Sequence, residues 1–313
     1  MESKELRNFA RVARCGSFSR AANELGVAQP ALSRQVSKLE HELGVNLFVR
    51  HGRGVHLTTA GSLLLDRAEA IAHLIHRTGE EVKQDQSRGR GSVTLGVPSA
   101  AGTLILPLLV ERLRTDAPQL TLNAREGIST LLQEWLLDQR IDVAVLHNPA
   151  PLEALEIRPL LTERMVVVGP PARRHNKPAD GKSSYRIHDL AELPLIMPSL
   201  PHNIRRLVEQ AAIQHGVRLR VQAEVDSVAF TKLLVQNGFG FSVLTYAAVQ
   251  DEVSRGLLQA YPIERPALTS TVTVVTLRVK QPLQLIGRVR SMLRMVVRDL
   301  VQSKQWAGAK LIS

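Results

Sequence analysis

The chain has 313 residues, of which 44% are hydrophobic, enough for two folding units that each bury a core. This composition excludes a disordered tail protein and a small disulfide-stapled scaffold. A single cysteine, Cys15, excludes an internal disulfide and a cysteine-rich zinc cluster, as expected of a cytoplasmic protein. The sequence shows neither a signal peptide nor an apolar stretch long enough to span a membrane.

The formal net charge of +11 is unevenly distributed along the chain. Residues 1–91 carry 14 basic and 10 acidic side chains, and residues 92–277 carry 18 of each kind. Residues 278–313 carry eight basic side chains and one acidic side chain. A basic excess of this size predicts a polyanionic partner, nucleic acid or an anionic membrane surface.

Three short helices are predicted in the first 44 residues. The first covers residues 2–14 and ends at Gly16, and the second runs from Arg20 to Leu25 after serine caps. The third begins at Gln29 and Pro30 and ends near Gly44. Proline lacks an N–H, but this is not unfavourable here because N–H groups in the first turn of a helix have no acceptor within the helix. This arrangement predicts a helix-turn-helix, whose last helix can lie in the major groove of DNA.

The third helix has an apolar stripe of Leu32, Val36 and Leu39, which leaves polar side chains on its outward face. Residues 46–58 follow as two predicted strands around Gly52 to Gly54, a basic wing. Side chains of these types read base edges or bind phosphates, and Arg34 is expected to contact a base. The candidate DNA-binding residues are Ser19, Gln29, Pro30, Ser33, Arg34, Gln35, Lys38, Arg50 and Arg53.

The run from Ser17 to Gly61 resembles the winged helix-turn-helix signature of LysR-type transcriptional regulators nearly position by position. One departure is Ala28, where most of the family has a serine that can cap the third helix. The branch that resembles the nitrogen assimilation control protein also has alanine at this position. The resemblance implies a sequence-specific transcriptional regulator that binds double-stranded DNA as a homodimer or a dimer of dimers.

A long helix is predicted from Thr58 or Thr59 to about Gln86. Its apolar seam consists of Leu64, Ala68, Ile71, Leu74 or Ile75, Thr78 and Val82. The resemblance implies that this seam pairs with a second subunit, and the alternative is that the seam packs on its own domain. Residues 87–91 form a polar hinge, so the predicted domains are 1–58, 59–91 and 92–313.

From Ser92 onwards strands alternate with helices, which predicts an open, largely parallel α/β sheet. The predicted strands are 92–97, 121–126, 141–146, 164–169, 194–197, 221–225, 240–245 and 270–278, and the predicted helices are about 101–114, 128–137, 203–214, 228–236 and 283–302. The resemblance implies a two-lobed effector domain similar to periplasmic binding proteins. Lobe I would cover about 92–163 and 268–313, lobe II would cover about 164–267, and the chain would cross near 162–169 and 262–270.

Ligands of such sheets bind beyond the carboxyl ends of the strands, at helix N-termini. The candidate effector-binding residues are Ser99, Ala100, Thr103, Gly127, Ser129, His147, Ser199, His202 and Asn203. Helix N-termini favour an anion, and the resemblance implies a small carboxylate effector. Two alternatives stay open: the serines are ordinary caps and the histidines surface residues, or the regulator has no effector and is controlled by its abundance.

The sequence contains no motif that indicates catalysis, a metal site or a cofactor. It has no Gly-x-Ser-x-Gly elbow, no P-loop, no HExxH and no GxGxxG, and His73 with His76 lacks further ligands. Cys15 has no partner thiol that could form a redox switch. An enzyme or a solute-binding protein with an accessory DNA-binding head remains an alternative from another class.

The final predicted helix carries Arg290, Arg294 and Arg298 four residues apart, opposite an apolar face. These arginines admit three explanations: a solvated face, contact with DNA, or docking on an acidic protein such as an RNA polymerase subunit. No membrane partner is expected, because the helix lacks phenylalanine and Trp306 lies beyond it.

Overall fold

The computed structural model describes residues 1–51, 54–84, 91–171, 183–278 and 284–312, with the backbone alone at 50, 51, 73, 76, 77 and 80–84. The chain divides into two units. Unit 1 comprises Met1–Arg88 and Asp138–Arg140, and unit 2 comprises Gly89–Leu137 and Ile141–Ser313. None of the helices in the described ranges is long and apolar enough to cross a membrane.

Unit 1 begins with the three predicted helices. They are α1 (Ser3–Cys15), α2 (Phe18–Leu25) and α3 (Gln29–Leu43). Helix α2 begins two residues earlier than predicted, because Ser17 Oγ accepts the N–H of Arg20 at 3.4 Å and Phe18 is buried in the core. Helix α3 has no side-chain cap at Ala28, as the sequence indicates.

The predicted wing is an antiparallel hairpin of β1 (Phe48–His51) and β2 (Gly54–Leu57). The carboxylate of Glu40 on α3 accepts the N–H groups of Leu47 and Phe48 at 2.8 and 3.2 Å. The N–H of Val55 donates to the carbonyl of Gly16 at 3.1 Å. These hydrogen bonds fix the wing to α3 and to the end of α1.

Helix α4 (Thr59–Gln84) follows the wing, and the rest of the predicted segment lies outside the described residues. Thr58 Oγ1 accepts the N–H of Gly61 at 3.0 Å, so Thr58 caps the helix. Leu64 packs against the core of unit 1, whereas Leu74 and Ile75 are 43% and 50% exposed. The beginning of the seam thus packs on its own unit, whereas Leu74, Ile75 and Thr78 are open to solvent in the single chain. The side chain of Val82, the last predicted seam residue, lies outside the described part of the chain.

Unit 2 is an α/β unit of two lobes. Its strands are β3 (Gly91–Val97), β4 (Leu120–Glu126), β5 (Val143–His147), β6 (Leu155–Gly169), β7 (Leu195–Met197), β8 (Val221–Glu224), β9 (Ser242–Thr245), β10 (Gln259–Pro262), β11 (Thr269–Leu277) and β12 (Ala309–Leu311). Its helices are α5 (Ser99–Asp116), α6 (Ser129–Leu137), α7 (Asn203–Gln214), α8 (Val228–Gln236), α9 (Tyr246–Ser254) and α10 (Gln284–Gln302), with a 3₁₀ turn at Ile187–Ala191.

The main sheet has the strand order β10-β6-β11-β5-β3-β4, and β9 and β12 also pair with β6. The prediction of a largely parallel sheet holds for β3 with β4 and β5 but is wrong for β6 and β11, which are antiparallel to their neighbours. Strand β6 pairs with β11 up to Arg164 and with β9 from Met165, so one strand runs through both lobes. Strand β11 then runs back beside β6, so these two strands are antiparallel.

The apolar face of α10 packs into a core with β3, α5 and β11, and Trp306 is buried in the same core. The three arginines of α10 are not equivalent. Arg290 forms an ion pair with Glu156 at 2.8 Å, whereas Arg294 and Arg298 are exposed and make no hydrogen bond or ion pair within the described ranges.

Candidate nucleic-acid interface and ligand cavity

The outward face of α3 forms a shallow groove. Five predicted DNA-binding residues line it, namely Gln29, Pro30, Ser33, Arg34 and Lys38, together with Ser37, which the sequence analysis missed. The groove is continuous along α3 because these residues recur at steps of three or four on the side opposite the buried Leu32, Val36 and Leu39.

Arg34 and Lys38 differ in their surroundings. Lys38 Nζ lies 3.0 Å from Glu5 Oε1 and 3.5 Å from Glu42 Oε1, and the bond to Glu5 raises the pKa of Lys38. Arg34 is exposed and has no hydrogen bond or ion pair in the part of the chain that the structure describes. Two carboxylates therefore balance the charge of Lys38, whereas the guanidinium of Arg34 is available to a partner.

The remaining candidates of unit 1 do not line this groove. The Oε1 of Gln35 accepts the amide N–H of the buried Asn8 at 2.5 Å, which ties α3 to α1. Ser19 is exposed on α2. Arg50 is described by its backbone in β1 alone, and Arg53 lies outside the described residues.

A cavity of about 560 Å³ in unit 2 brings together most of the predicted effector-binding residues. Those on its wall are Ser99, Ala100, Gly127, Ser129, His147 and His202. The first residues or caps of α5, α6, α7 and α8 lie at this wall, so four helix N-termini face one space. Free N–H groups at helix N-termini attract acceptor groups of a ligand.

Three predicted residues lie outside the cavity wall, and their polar groups form hydrogen bonds within the protein. Thr103 is exposed and its hydroxyl donates to the carbonyl of Ala100 at 2.9 Å. The hydroxyl of Ser199 donates to Asp226 Oδ1 at 2.6 Å. Asn203 is buried, and its Nδ2 donates to the carbonyl of His147 at 2.8 Å, which joins α7 to the end of β5.

His147 is held at its backbone and at its ring. Its N–H donates to Ser129 Oγ at 3.0 Å, so this hydroxyl is a structural acceptor. Its Nε2 lies 2.9 Å from Glu163 Oε1, and the other oxygen of Glu163 accepts the indole N–H of Trp306 at 3.0 Å. No local spacing in the sequence indicates Glu163, because its partner Trp306 is 143 residues distant in the chain.

The charged groups on the wall are acidic. Glu126 and Asp226 line the cavity, and no lysine or arginine does so among the described residues. Burial, aided by repulsion from His147 and opposed by Asp226, lowers the pKa of His202 to about 4. His202 is therefore uncharged at neutral pH, and its Nδ1 accepts the N–H of Ile204 at 3.2 Å as the cap of α7.

We expect His202 to make unit 2 less stable in acid. Above pH 6.5 the imidazole is neutral in both states; as the pH falls towards 4, the unfolded chain binds a proton that the folded chain does not. The free energy of unfolding should thus fall by about 2 kcal/mol between about pH 7.5 and 5 through this group. Urea unfolding should show the wild type losing this much stability relative to His202→Asn over this range, and parallel pH curves would contradict the assignment.

The chain matches two family models. The model "Bacterial regulatory helix-turn-helix protein, lysR family" covers residues 3–62, and "LysR substrate binding domain" covers residues 86–298. It is 34% identical to the HTH-type transcriptional regulator BbuR of Bordetella bronchiseptica over 98% of this chain and 94% of the relative. It is 29% identical to the nitrogen assimilation regulatory protein nac of Escherichia coli over 80% of each chain.

The fold is that of full-length CbnR, a LysR family transcriptional regulator. CbnR superimposes with a TM-score of 0.70 at 21% identity over 95% of this chain and 99% of CbnR. CbnR complexed with its target DNA gives a TM-score of 0.69 at 22% identity over 96% and 99%. These relatives are regulators rather than enzymes. The two family matches and the identity to BbuR establish that this chain belongs to the LysR family of DNA-binding transcriptional regulators.

Proposed function

We propose that this LysR-family regulator reads its DNA target through the groove on α3. Arg34 contacts a base, because its guanidinium is exposed and unpaired within the described ranges. The other groove residues, with Ser19, Gln35, Arg50 and Arg53, hold the phosphate backbone or set the position of the helix. The domains are 1–58 for DNA binding, 59–91 for the linker helix and hinge, and 92–313 for regulation.

Two copies of the chain pair through α4 in this proposal. Leu63, Leu74 and Ile75 are 61%, 43% and 50% exposed on this one helix, which is unfavourable in water without a partner. A dimer, or a dimer of dimers, places two DNA-binding units on one target, as the dimeric helix-turn-helix proteins do. Contact of Arg294 and Arg298 with RNA polymerase stays a prediction.

The regulatory part of the proposal is that a small molecule binds in the cavity of unit 2 and changes the DNA affinity or the position of the DNA-binding units. The observation that carries it is the cavity itself, whose volume of about 560 Å³ suits a metabolite and whose wall joins four helix N-termini. Strands β6 and β11 cross between the lobes, and Asn203 binds the carbonyl of His147 across them. A ligand that contacts both lobes therefore favours one arrangement of the two lobes over another.

A thermal-shift panel of small metabolites tests this regulation. A ligand at about 100 times its Kd stabilises its unit by about 2.7 kcal/mol, and Ser99→Ala should reduce that stabilisation because Ser99 lies on the wall. Thr103→Ala is the matched control, since Thr103 belongs to the same helix but lies outside the wall. No stabilisation by any metabolite would contradict the proposal and favour control by abundance alone.

A further inference from the structure

Lys38, in the groove of α3, contacts two carboxylates of its own unit. Its Nζ lies 3.0 Å from Glu5 Oε1 on α1 and 3.5 Å from Glu42 Oε1, one turn further along α3. The hydrogen bond to Glu5 raises the pKa of Lys38, and the backbone N–H of Glu2 together with Lys38 lowers the pKa of Glu5. The lysine and both acids are therefore charged at neutral pH.

The carboxylate of Glu5 is fixed, whereas the side chain of Lys38 is exposed. Glu5 is 9% exposed, and its Oε2 accepts the backbone N–H of Glu2 at 2.8 Å as part of the capping box of α1. The other oxygen, Oε1, is the one that binds Lys38. A fixed acceptor on a neighbouring helix thus orients a long, flexible ammonium side chain.

The charges around Lys38 cancel. The amino group of Met1 lies 2.7 Å from Glu42 Oε2, so two carboxylates and two ammonium groups share this end of the groove, and we call Met1, Glu5, Lys38 and Glu42 the Lys38 cluster. Sequence-independent affinity for DNA comes from cationic groups that neutralise phosphates and release counterions, so a cluster without net charge contributes little to it. Arg34, in the same groove, keeps its full charge because it forms no ion pair within the described ranges.

We propose that Glu5 and Glu42 hold Lys38 away from the DNA phosphates and thereby limit the affinity of this regulator for DNA of any sequence. Both acids are positioning residues, because they act on DNA only through the lysine. The consequence is a shorter residence on non-target DNA, where no base contact compensates for the missing phosphate contact. This inference rests on the DNA contact proposed for the α3 groove and adds a restraint that the protein itself imposes on that contact.

Glu5→Gln in the full-length protein, with random duplex DNA as the probe, tests this restraint. The glutamine side chain keeps an oxygen that can accept the N–H of Glu2, so α1 keeps its cap, but it has no charge to hold Lys38. The variant should bind random DNA about threefold to tenfold more tightly at about 0.1 M salt, and the logarithmic salt dependence should steepen by about 0.9 for each bound subunit. Weaker or unchanged binding would overturn the proposal, and weaker binding would show that Glu5 directs Lys38 to a phosphate.

Glu24→Gln is the matched control for the loss of one negative charge. Glu24 is an exposed acid of the same unit that pairs with Arg11 at 3.0 Å. Its replacement should change the affinity for random DNA by less than about twofold. An increase equal to that of Glu5→Gln would assign the effect to net charge alone and overturn the proposal. Glu42→Gln should raise the affinity as Glu5→Gln does, and it takes the place of that variant if Glu5→Gln fails to fold.

The ion pair is then removed as a whole by combining Glu5→Gln with Lys38→Gln, which leaves the net charge of the cluster at zero. If Lys38 makes no phosphate contact in the wild type, this double variant binds random DNA within about twofold of the wild type and with the same salt dependence. Binding that is weaker by about threefold or more, with a salt dependence flatter by about 0.9 for each subunit, would overturn the proposal. Arg34→Ala tests the base contact separately, because its readout is the preference for the target sequence and these comparisons use random DNA.

Discussion

Gly61→Ala lowers the free energy of unfolding of unit 1 by about 3 kcal/mol. Gly61 lies in the first turn of α4, directly over the carbonyl of Leu47. A methyl group there would come closer to this oxygen than side-chain carbons approach backbone atoms, and it would also lie 3.0 Å from Leu57 Cδ2. The carbonyl cannot retreat freely, because it accepts the N–H of Thr58 at 3.0 Å.

Gly79→Ala is the matched control for this variant. Gly79 lies in the same helix, and no atom of the described residues lies within 4 Å of its added methyl group, so alanine should be neutral or stabilise by up to about 1 kcal/mol. Both tryptophans, Trp135 and Trp306, belong to unit 2, so loss of helical circular dichroism without a change in fluorescence reports on unit 1. Equal unfolding midpoints for the two variants would contradict this packing.

Arg34→Ala weakens binding to the target sequence by 10- to 100-fold, which corresponds to about 1–3 kcal/mol. The loss on random DNA should be much smaller, because a lost base contact affects the specific complex alone. Arg7→Ala removes the same charge from an exposed position on α1 and should weaken both complexes slightly and equally. The affinities for the target sequence and for random DNA are measured at one fixed salt concentration. Equal losses on both DNAs for Arg34→Ala would refute its base contact.

The local signals of unit 1 were sufficient to predict its elements from sequence. Glycines 16 and 44 end α1 and α3 with φ of 60° and 68°, a conformation that costs glycine little, and Pro30 begins α3. The buried stripe of α3 followed from its spacing. What spacing could not show is the role of Glu40, because its hydrogen bonds to the wing depend on how the hairpin folds back.

The strands that cross between the lobes were harder to predict. The first part of β6 contains Glu156, Arg158, Pro159 and Glu163, which interrupt the apolar pattern of a buried strand. The charged side chains of Glu156 and Glu163 find their partners only in the folded protein. The short elements α9, β10 and β12 also escaped prediction, because three to nine residues give too little periodicity.

Most of the cavity wall could be predicted because strand ends and helix starts are local features. Six of the nine predicted effector-binding residues lie on the wall. Its charge could not be predicted in this way: Glu126 and Asp226 belong to different lobes, and Glu163 depends on Trp306. Long-range pairing therefore decides the charge and the hydrogen-bonding groups of the cavity wall.

Selection of binding sites from a pool of random DNA by the full-length protein tests the central claim most directly. A LysR-family dimer that reads bases through α3 should enrich a motif of two inverted half-sites about one helical turn or a multiple of it apart. Arg34→Ala should lose preference at one position in each half-site while still binding DNA. Enrichment of no sequence by the wild type, despite salt-dependent binding to the pool, would contradict the account.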